Sequence, residues 1–276
     1  MASYFSLPGA VDAQFQIVSS LRFDPELPEI VAQYALQHYP QPQNSPYYLL
    51  SYHRDRLLEA AEEFQWDQAV ALLRRDVESF ADSLDKYIPD RSKPWRLRIV
   101  VDIDGNLAVD VQPAAAEGAR SLLLPSIRPS IIVSPWRLYI DPQRTHPSAF
   151  TTHKTTARNI YTAARERVGI TSPQDPIEVL LINPQGEVME GSITTPYFRR
   201  RSQWANRTGH DWVTPPLSSG GNAGTTRRYA LEYGFCVEQV VRLEDLVNGE
   251  QCWLSNAVRG FIPATVVLTL PGEGDE

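Results

Sequence analysis

Lys154 opens the set of residues whose types and spacing could do chemistry. It stands just ahead of Thr155-Thr156-Ala157-Arg158-Asn159-Ile160-Tyr161, and Ala157, Ile160, Tyr161, Ala164 and Val168 follow the spacing of one helix face. That spacing predicts an amphipathic helix beginning near Thr155 and closed by Gly169 as a left-handed residue. A lysine at a helix N-terminus meets the positive end of the peptide dipoles, so its pKa should fall. A lysine serving as nucleophile or base needs that fall. Glu190, between Met189 and Gly191 on an expected strand, is a carboxylate among apolar neighbours and needs a cation or hydrogen-bond donors if it faces inward. Gly220-Gly221-Asn222-Ala223-Gly224 leads into Thr225-Thr226 at the start of a short helix ended by Gly234, so backbone N–H groups can converge there on an anion. No lysine follows these glycines in the place a Walker loop requires.

The elements that must position these groups fall into two halves. Residues 15–23 read as a strand entering a turn at Asp24-Pro25, with Arg22 near its end as a residue that could face a ligand. A helix begins at Ser51, with Leu57, Ala60, Ala61 and Phe64 on one face and Arg56 on the next. Asp67 is a good N-cap for a second helix carrying Val70, Leu73, Val77, Phe80, Leu84 and Tyr87. Trp95, Leu97, Ile99 and Val101 alternate into Asp104-Gly105, and Leu107, Val109 and Val111 alternate out of it, which predicts a hairpin. The aperiodic, proline- and alanine-rich run 112–129 reads as an interdomain linker. Beyond it, strands are expected over 131–133, 177–182, 187–193, 235–241 and 251–254. The expectation is a two-domain α+β protein: residues 1–111, a linker over 112–129, and a larger sheet-rich unit over 130–276.

The chain of 276 residues is 42% apolar and 21% charged, an ordinary globular composition. Its net charge of −7 argues against a nucleic-acid partner, whose phosphates would call for a basic surface. Two cysteines, Cys236 and Cys252, make neither a disulfide framework nor a metal pattern, so no metal is expected. The first residues lack a basic flank with a continuous apolar run, and no stretch is long enough to span a bilayer, so a cytoplasmic protein without a membrane association is expected.

A lysine able to form an imine, an anion cradle for a phosphate and an inward carboxylate are together what a pyridoxal 5′-phosphate enzyme needs. The carboxylate keeps the pyridine nitrogen protonated, which makes the ring an electron sink. The residues around these groups resemble the fold-type IV pyridoxal-phosphate enzymes, which include branched-chain and D-amino-acid aminotransferases and aminodeoxychorismate lyase. The resemblance runs from about Ile17 to Pro263. It is carried by His53-Arg54-Asp55-Arg56-Leu57, His153-Lys154-Thr155-Thr156-Ala157-Arg158 with Tyr161, Gly186-Glu187-Val188-Met189-Glu190-Gly191-Ser192-Ile193-Thr194, Gly224-Thr225-Thr226-Arg227 and Leu254-Ser255-Asn256-Ala257-Val258-Arg259-Gly260. Thr195 stands where the family usually has asparagine.

The resemblance implies that Lys154 is the Schiff-base lysine and proton shuttle, and Glu190 the pyridinium partner. Arg56, Thr225 and Thr226 would bind the phosphate, with Asn256 and Ala257 lining its side. The cofactor would lie between the two domains. Arg22, Arg158 and Arg259 are candidates for the carboxylates of a small amino substrate. The lysine segment and the 256–260 turn are most similar to the lyase branch. The implied reaction is therefore release of pyruvate from 4-amino-4-deoxychorismate to leave 4-aminobenzoate, a folate precursor, with transamination of a D-amino acid, a branched-chain amino acid or an (R)-amine as the alternative. A catalytically silent relative is disfavoured, because Lys154 and Glu190 are both intact. Family members are typically homodimers, and the aromatic, proline-rich loops could supply such an interface.

Overall fold

A computed structural model describes residues 15–114, 118–127, 135–172, 174–199 and 211–269. The strand expected over 131–133 lies outside these residues. The first sheet has three antiparallel strands in the order β1 (Ile17–Phe23), β2 (Trp95–Val101), β3 (Leu107–Pro113). The β2–β3 hairpin turns at Gly105, whose φ of 77° is open to glycine. Its alternation sends Leu97, Ile99 and Val101 into a core shared with Leu21 and Phe23 of β1. That core is closed by α2 (Leu50–Glu63), α3 (Asp67–Leu73) and α4 (Val77–Asp85), through Leu57, Ala61, Leu73, Phe80 and Leu84. The single helix expected from Asp67 to Tyr87 is therefore two. Asp76 accepts a hydrogen bond from the N–H of Ser79 at 2.6 Å and caps a new helix in the middle of the apolar stripe.

The second sheet has eight strands: β4 (Trp136–Arg144), β5 (Ile177–Ile182), β6 (Val188–Gly191), β7 (Thr195–Arg199), β8 (Trp212–Thr214), β9 (Cys236–Glu238), β10 (Gln251–Asn256) and β11 (Gly260–Val266). Their order is β6-β5-β4-β11-β10-β7-β8-β9. The β4–β5, β4–β11 and β8–β9 pairs are parallel and the rest antiparallel. One face packs Leu138, Leu180, Ile182, Leu254 and Ile262 together, and α6 (Asn159–Arg167) covers the other through Tyr161 and Ala164 against Val179 and Leu181.

A fourth apolar cluster joins the two halves. It takes Leu27 and Val31 from α1 (Leu27–Tyr34), Tyr48, Leu122, Leu123 and Leu124, and Tyr229 from α7 (Thr225–Glu232). Part of the run expected to be a linker thus sits in this core, as a turn of 3₁₀ helix over Ala119–Leu122 followed by fully buried Leu123 and Leu124.

The lysine segment departs from its expected form. The helix starts at Asn159, not near Thr155. Val18 N–H donates to the Lys154 carbonyl at 2.8 Å and Thr156 N–H to the Gln16 carbonyl at 2.9 Å, so pairing with β1 holds Lys154–Thr156 extended. Ile160, expected on the buried face, is exposed, while Tyr161, Ala164 and Val168 are buried. Gly169 closes the helix with φ 73° as expected.

Candidate functional site

Lys154 lies where the two sheets meet, tied to β1 by its own carbonyl. It faces a cavity that is also lined by Arg56, Arg158, Tyr161, Glu190 and Thr225. Its amine is held well below the ordinary lysine pKa, first by burial and then by the positive charges of Arg56, Arg158 and Arg96, with Glu190 opposing. The depression foreseen from a helix N-terminus is therefore present for a different reason, since the helix begins five residues later.

Glu190, on β6, pairs across to Leu181 of β5, and its side chain is buried. Burial pushes the carboxyl up to about 7, against the pull of the Tyr161 hydroxyl, Arg158, the Asn222 N–H and Lys154. Tyr161 Oη donates to Glu190 Oε1 at 2.5 Å, a contact the helical spacing gave no reason to single out. Such a carboxyl is poised to become fully ionised when a cation arrives beside it.

The anion cradle is built on α7. Gly224 is its N-cap, and the first intrahelical bond runs from the Arg228 N–H to the Gly224 carbonyl, which leaves the N–H groups of the first turn pointing outward. Thr225 and Thr226 both line the cavity. The glycines of this loop are needed for closeness: a Cβ on Gly221 would stand 2.4 Å from the Met189 carbonyl oxygen, and one on Gly224 2.9 Å from Thr195 Oγ1.

Arg56 reaches the cavity from α2, and its Nη2 donates to Ser19 Oγ at 2.6 Å. Ser19 Oγ also bonds His53 Nδ1 at 2.6 Å, and His53 Nε2 lies 3.5 Å from Thr225 Oγ1. Burial, Arg56 and Lys154 hold His53 well below its usual pKa and hence neutral, while burial lowers Arg56 to about 10 without discharging it. The buried Nε of Arg56 finds no hydrogen-bond partner among the described residues. An unpaired guanidinium nitrogen beside a helix N-terminus is a donor set that fits a phosphate.

Asn256 and Ala257 line the same cavity from the turn after β10. The Asn256 Oδ1 accepts from the N–H groups of Val258 and Arg259 at 3.0 and 2.9 Å, so that oxygen shapes the turn. Arg158 lines the cavity, donates to the Ser192 carbonyl at 2.6 Å and lies 4.2 Å from the centre of the Tyr161 ring. Arg22 is not brought to the site: it is buried in an ion pair with Asp24 at 2.7 Å and does not line the cavity. Arg259 opens on an adjoining cavity that shares Lys154, Asn256 and Ala257 with the first.

Glu178, on β5, had no place in the sequence reading, though a carboxylate inside Ile-Glu-Val-Leu-Leu-Ile was a visible signal. It is fully buried and accepts from Ser192 N and Oγ, Ile193 N and Thr194 Oγ1 at 2.5–3.1 Å. These bonds hold the turn that forms one wall of the cavity. Ser19 and His53 carried no such signal. No group of His, Cys, Asp or Glu among the described residues could hold a metal ion. No helix among them is long and apolar enough to cross a membrane.

The model of the amino-transferase class IV family matches residues 41–267. Among curated proteins, aminodeoxychorismate lyase of Saccharomyces cerevisiae is 26% identical, over 68% of this chain and 55% of that protein. A relative from Schizosaccharomyces pombe is 32% identical over 49% of this chain and 57% of its own length. The matches thus span little more than half the length of either relative. A hypothetical aminotransferase from Mycobacterium tuberculosis, solved in a PLP-bound form, has the same fold, with a TM-score of 0.56 at 16% identity over 91% of this chain and 81% of that one.

Proposed function

The chain belongs to the amino-transferase class IV family, a fold-type IV member of mixed α and β structure, and from that membership we propose a pyridoxal 5′-phosphate-dependent lyase. Its substrate is 4-amino-4-deoxychorismate, and its products are 4-aminobenzoate and pyruvate. One observation carries the reading: a buried lysine of depressed pKa and a buried carboxylate line one cavity with a guanidinium and a helix N-terminus.

Pyridoxal phosphate, when bound, supplies an aldehyde for covalent capture and a protonated ring that withdraws electrons. Arg56, with the amides and hydroxyls of Thr225 and Thr226, holds the phosphate, and the Asn256–Ala257 turn lines that side. Glu190 receives the ring N–H, and Tyr161 keeps the carboxylate in place. Lys154 Nζ takes the proton from the carbon that carries the substrate's amine, and its depressed pKa favours the unprotonated amine that this step needs. As the carbon–oxygen bond to the enolpyruvyl group breaks, the same nitrogen would return a proton to the departing oxygen, and the enol released tautomerises to pyruvate. The remaining ring gains a double bond and becomes aromatic.

Transfer of the amino group to a keto acid begins with the same proton abstraction and is the second reading, favoured by the description of the family. The similarity of the lysine segment and the 256–260 turn to the lyase branch supports the first. We also read the chain as a cytoplasmic homodimer serving folate precursor synthesis, with a small unit to residue 111, a connection over 112–129 and a larger unit from 130, the cofactor lying between them. Incubation of the holoenzyme with 4-amino-4-deoxychorismate tests the reading. Equal yields of 4-aminobenzoate and pyruvate are expected; amino transfer to an added keto acid without 4-aminobenzoate would favour the second reading instead.

A further inference from the structure

His53 is fully buried on α2 behind the anion cradle and takes no part in the chemistry assigned above. Its ring stands between Ser19 and Thr225. Ser19 Oγ lies 2.6 Å from His53 Nδ1 and accepts from Arg56 Nη2, also at 2.6 Å, while His53 Nε2 faces Thr225 Oγ1 at 3.5 Å. A guanidinium only donates, so the Ser19 oxygen is the acceptor in the Arg56 bond. The fully buried Ser19 hydroxyl then has one proton to place, and among the described residues His53 Nδ1 is the only acceptor within its reach. Burial, Arg56 and Lys154 hold the His53 pKa well below its usual value, so the ring carries a single proton. An Nδ1 that accepts leaves that proton on Nε2, aimed at Thr225 Oγ1. The Thr225 oxygen is then the acceptor, and its own hydroxyl proton, which no other described residue takes up, is left for the cavity that Thr225 lines. With the ring proton on Nδ1 the direction reverses: Nε2 would accept from Thr225 and turn its proton away from an anion.

Thr226 repeats the arrangement. Ser255 Oγ donates to Thr226 Oγ1 at 2.8 Å, and the fully buried Tyr197 places its Oη 2.8 Å from Ser255 Oγ on the far side. Both threonine oxygens of the cradle are thus met by donors from behind, which leaves both hydroxyl protons for the cavity side. An ionised phosphate only accepts, so a hydroxyl whose proton already points at it has no reorientation to make when the anion arrives.

We propose that His53 is a positioning residue for the cofactor's phosphate: Ser19 holds it as the tautomer protonated at Nε2, and that proton turns the Thr225 hydroxyl toward the anion. The proposal rests on the pyridoxal phosphate reading above and is the same for elimination and for amino transfer. The Nε2–Oγ1 contact is long, so the expected gain is about tenfold in affinity, below the roughly hundredfold that a short charge-assisted bond supplies.

Two measurements on the full chain test it. In cofactor-free wild type, isotopically labelled at the histidine nitrogens, NMR at neutral pH should show His53 with a protonated Nε2 and a bare Nδ1, its signals identified by their loss in His53→Gln. A ring protonated at Nδ1, alone or together with Nε2, would overturn the proposal. The second measurement compares binding of pyridoxal 5′-phosphate with binding of pyridoxal, the same aldehyde without the phosphate, in wild type, His53→Asn and His53→Gln, with a melting curve for each. The glutamine amide can place an N–H where that of Nε2 stands, and the shorter asparagine cannot. His53→Asn should raise the Kd of pyridoxal 5′-phosphate about tenfold and leave that of pyridoxal within about twofold, with His53→Gln between wild type and His53→Asn. Weakening of both ligands alike in His53→Asn, or of neither, would make His53 a packing residue and overturn the proposal. A wild-type protein that binds neither aldehyde would overturn the cofactor reading and the proposal with it, whereas tight binding of pyridoxal 5′-phosphate beside the wrong tautomer would overturn the proposal alone.

Discussion

Tyr161 donates its phenolic proton to Glu190 Oε1 across 2.5 Å, and both residues are buried beside Lys154. The bond joins the helix that follows the lysine to the strand that carries the carboxylate. Losing a hydrogen bond to a charged group costs about 1.5–3 kcal/mol. Tyr161→Phe should therefore push the carboxyl above its present value of about 7 and lower turnover by about tenfold or more, with the cofactor retained. Glu190→Gln removes the charge itself and should lower turnover by about ten- to a hundredfold, again with cofactor bound. Cofactor absorbance and steady-state rates check both. Unchanged turnover in Glu190→Gln, in an assay limited by proton abstraction, would mean that this carboxylate does not face the ring.

Lys154 should reveal its depressed pKa through stability as well as activity. Its folded pKa is depressed below the unfolded value of 10.5, so between the two values the unfolded chain binds more protons. Stability then rises with pH across that window and is lost as pH falls through the folded pKa. Cofactor-free Lys154→Met lacks this dependence. It should be more stable than the cofactor-free wild type at about pH 7, and the gap should narrow towards about pH 9. Denaturant titrations at both pH values measure the gap, and a gap that widens with pH would contradict the assignment.

Glu178 is expected to matter without touching a ligand. Its oxygens accept from both the N–H and the hydroxyl of Ser192, from the Ile193 N–H and from the Thr194 hydroxyl. An amide can serve only some of these donors, and a buried donor left unsatisfied costs about 1–3 kcal/mol. Glu178→Gln should lower stability by at least that amount and loosen the wall opposite Lys154. Its melting temperature and KM should shift together; a shift in neither would mean the turn holds without it.

The gathering of Lys154, Glu190 and the Gly224-Thr225-Thr226 turn around one cavity could be anticipated from the sequence because each sits in a short segment with its own local pattern. Most of what was missed depends on distant partners. Residues Thr155–Ala157 fit a helical pattern, yet two hydrogen bonds to β1 hold that stretch extended. β4, β7, β8 and β11 were overlooked; β8 is three residues long, and each of the others contains a proline: Pro142, Pro196 and Pro263. Proline usually argues against a central strand, because it lacks the N–H that a ladder needs. The Ser19–His53–Thr225 chain spans three segments remote in sequence, so no spacing could announce it. Conversely, the β2–β3 hairpin was read correctly because alternation and an Asp-Gly turn are signals within a dozen residues.

Gly260 provides a test of how rigidly the turn after β10 must be held. Its φ of 73° is open to glycine, and a Cβ there would stand 2.0 Å from the carbonyl oxygen and 2.4 Å from the carbonyl carbon of Ser121, both backbone atoms that cannot rotate aside. Gly260→Ala therefore meets two penalties at once: backbone strain of about 1–3 kcal/mol, and a clash that only a shift of the Ser121 segment or of the turn can relieve. The Ser121 segment is anchored by fully buried Leu122, Leu123 and Leu124, so the turn is the part that must give. It carries Asn256 and Ala257, which line the lysine cavity, and Arg259, which lines its mouth. The variant should lose at least about 2 kcal/mol of stability and show a raised KM, with cofactor affinity reduced less because Arg56 and the α7 N-terminus are untouched. Thermal melting, KM and cofactor titration measured on one preparation check all three, and a Gly260→Ala protein that melts like the wild type would show that the Ser121 contact is not the constraint on this turn.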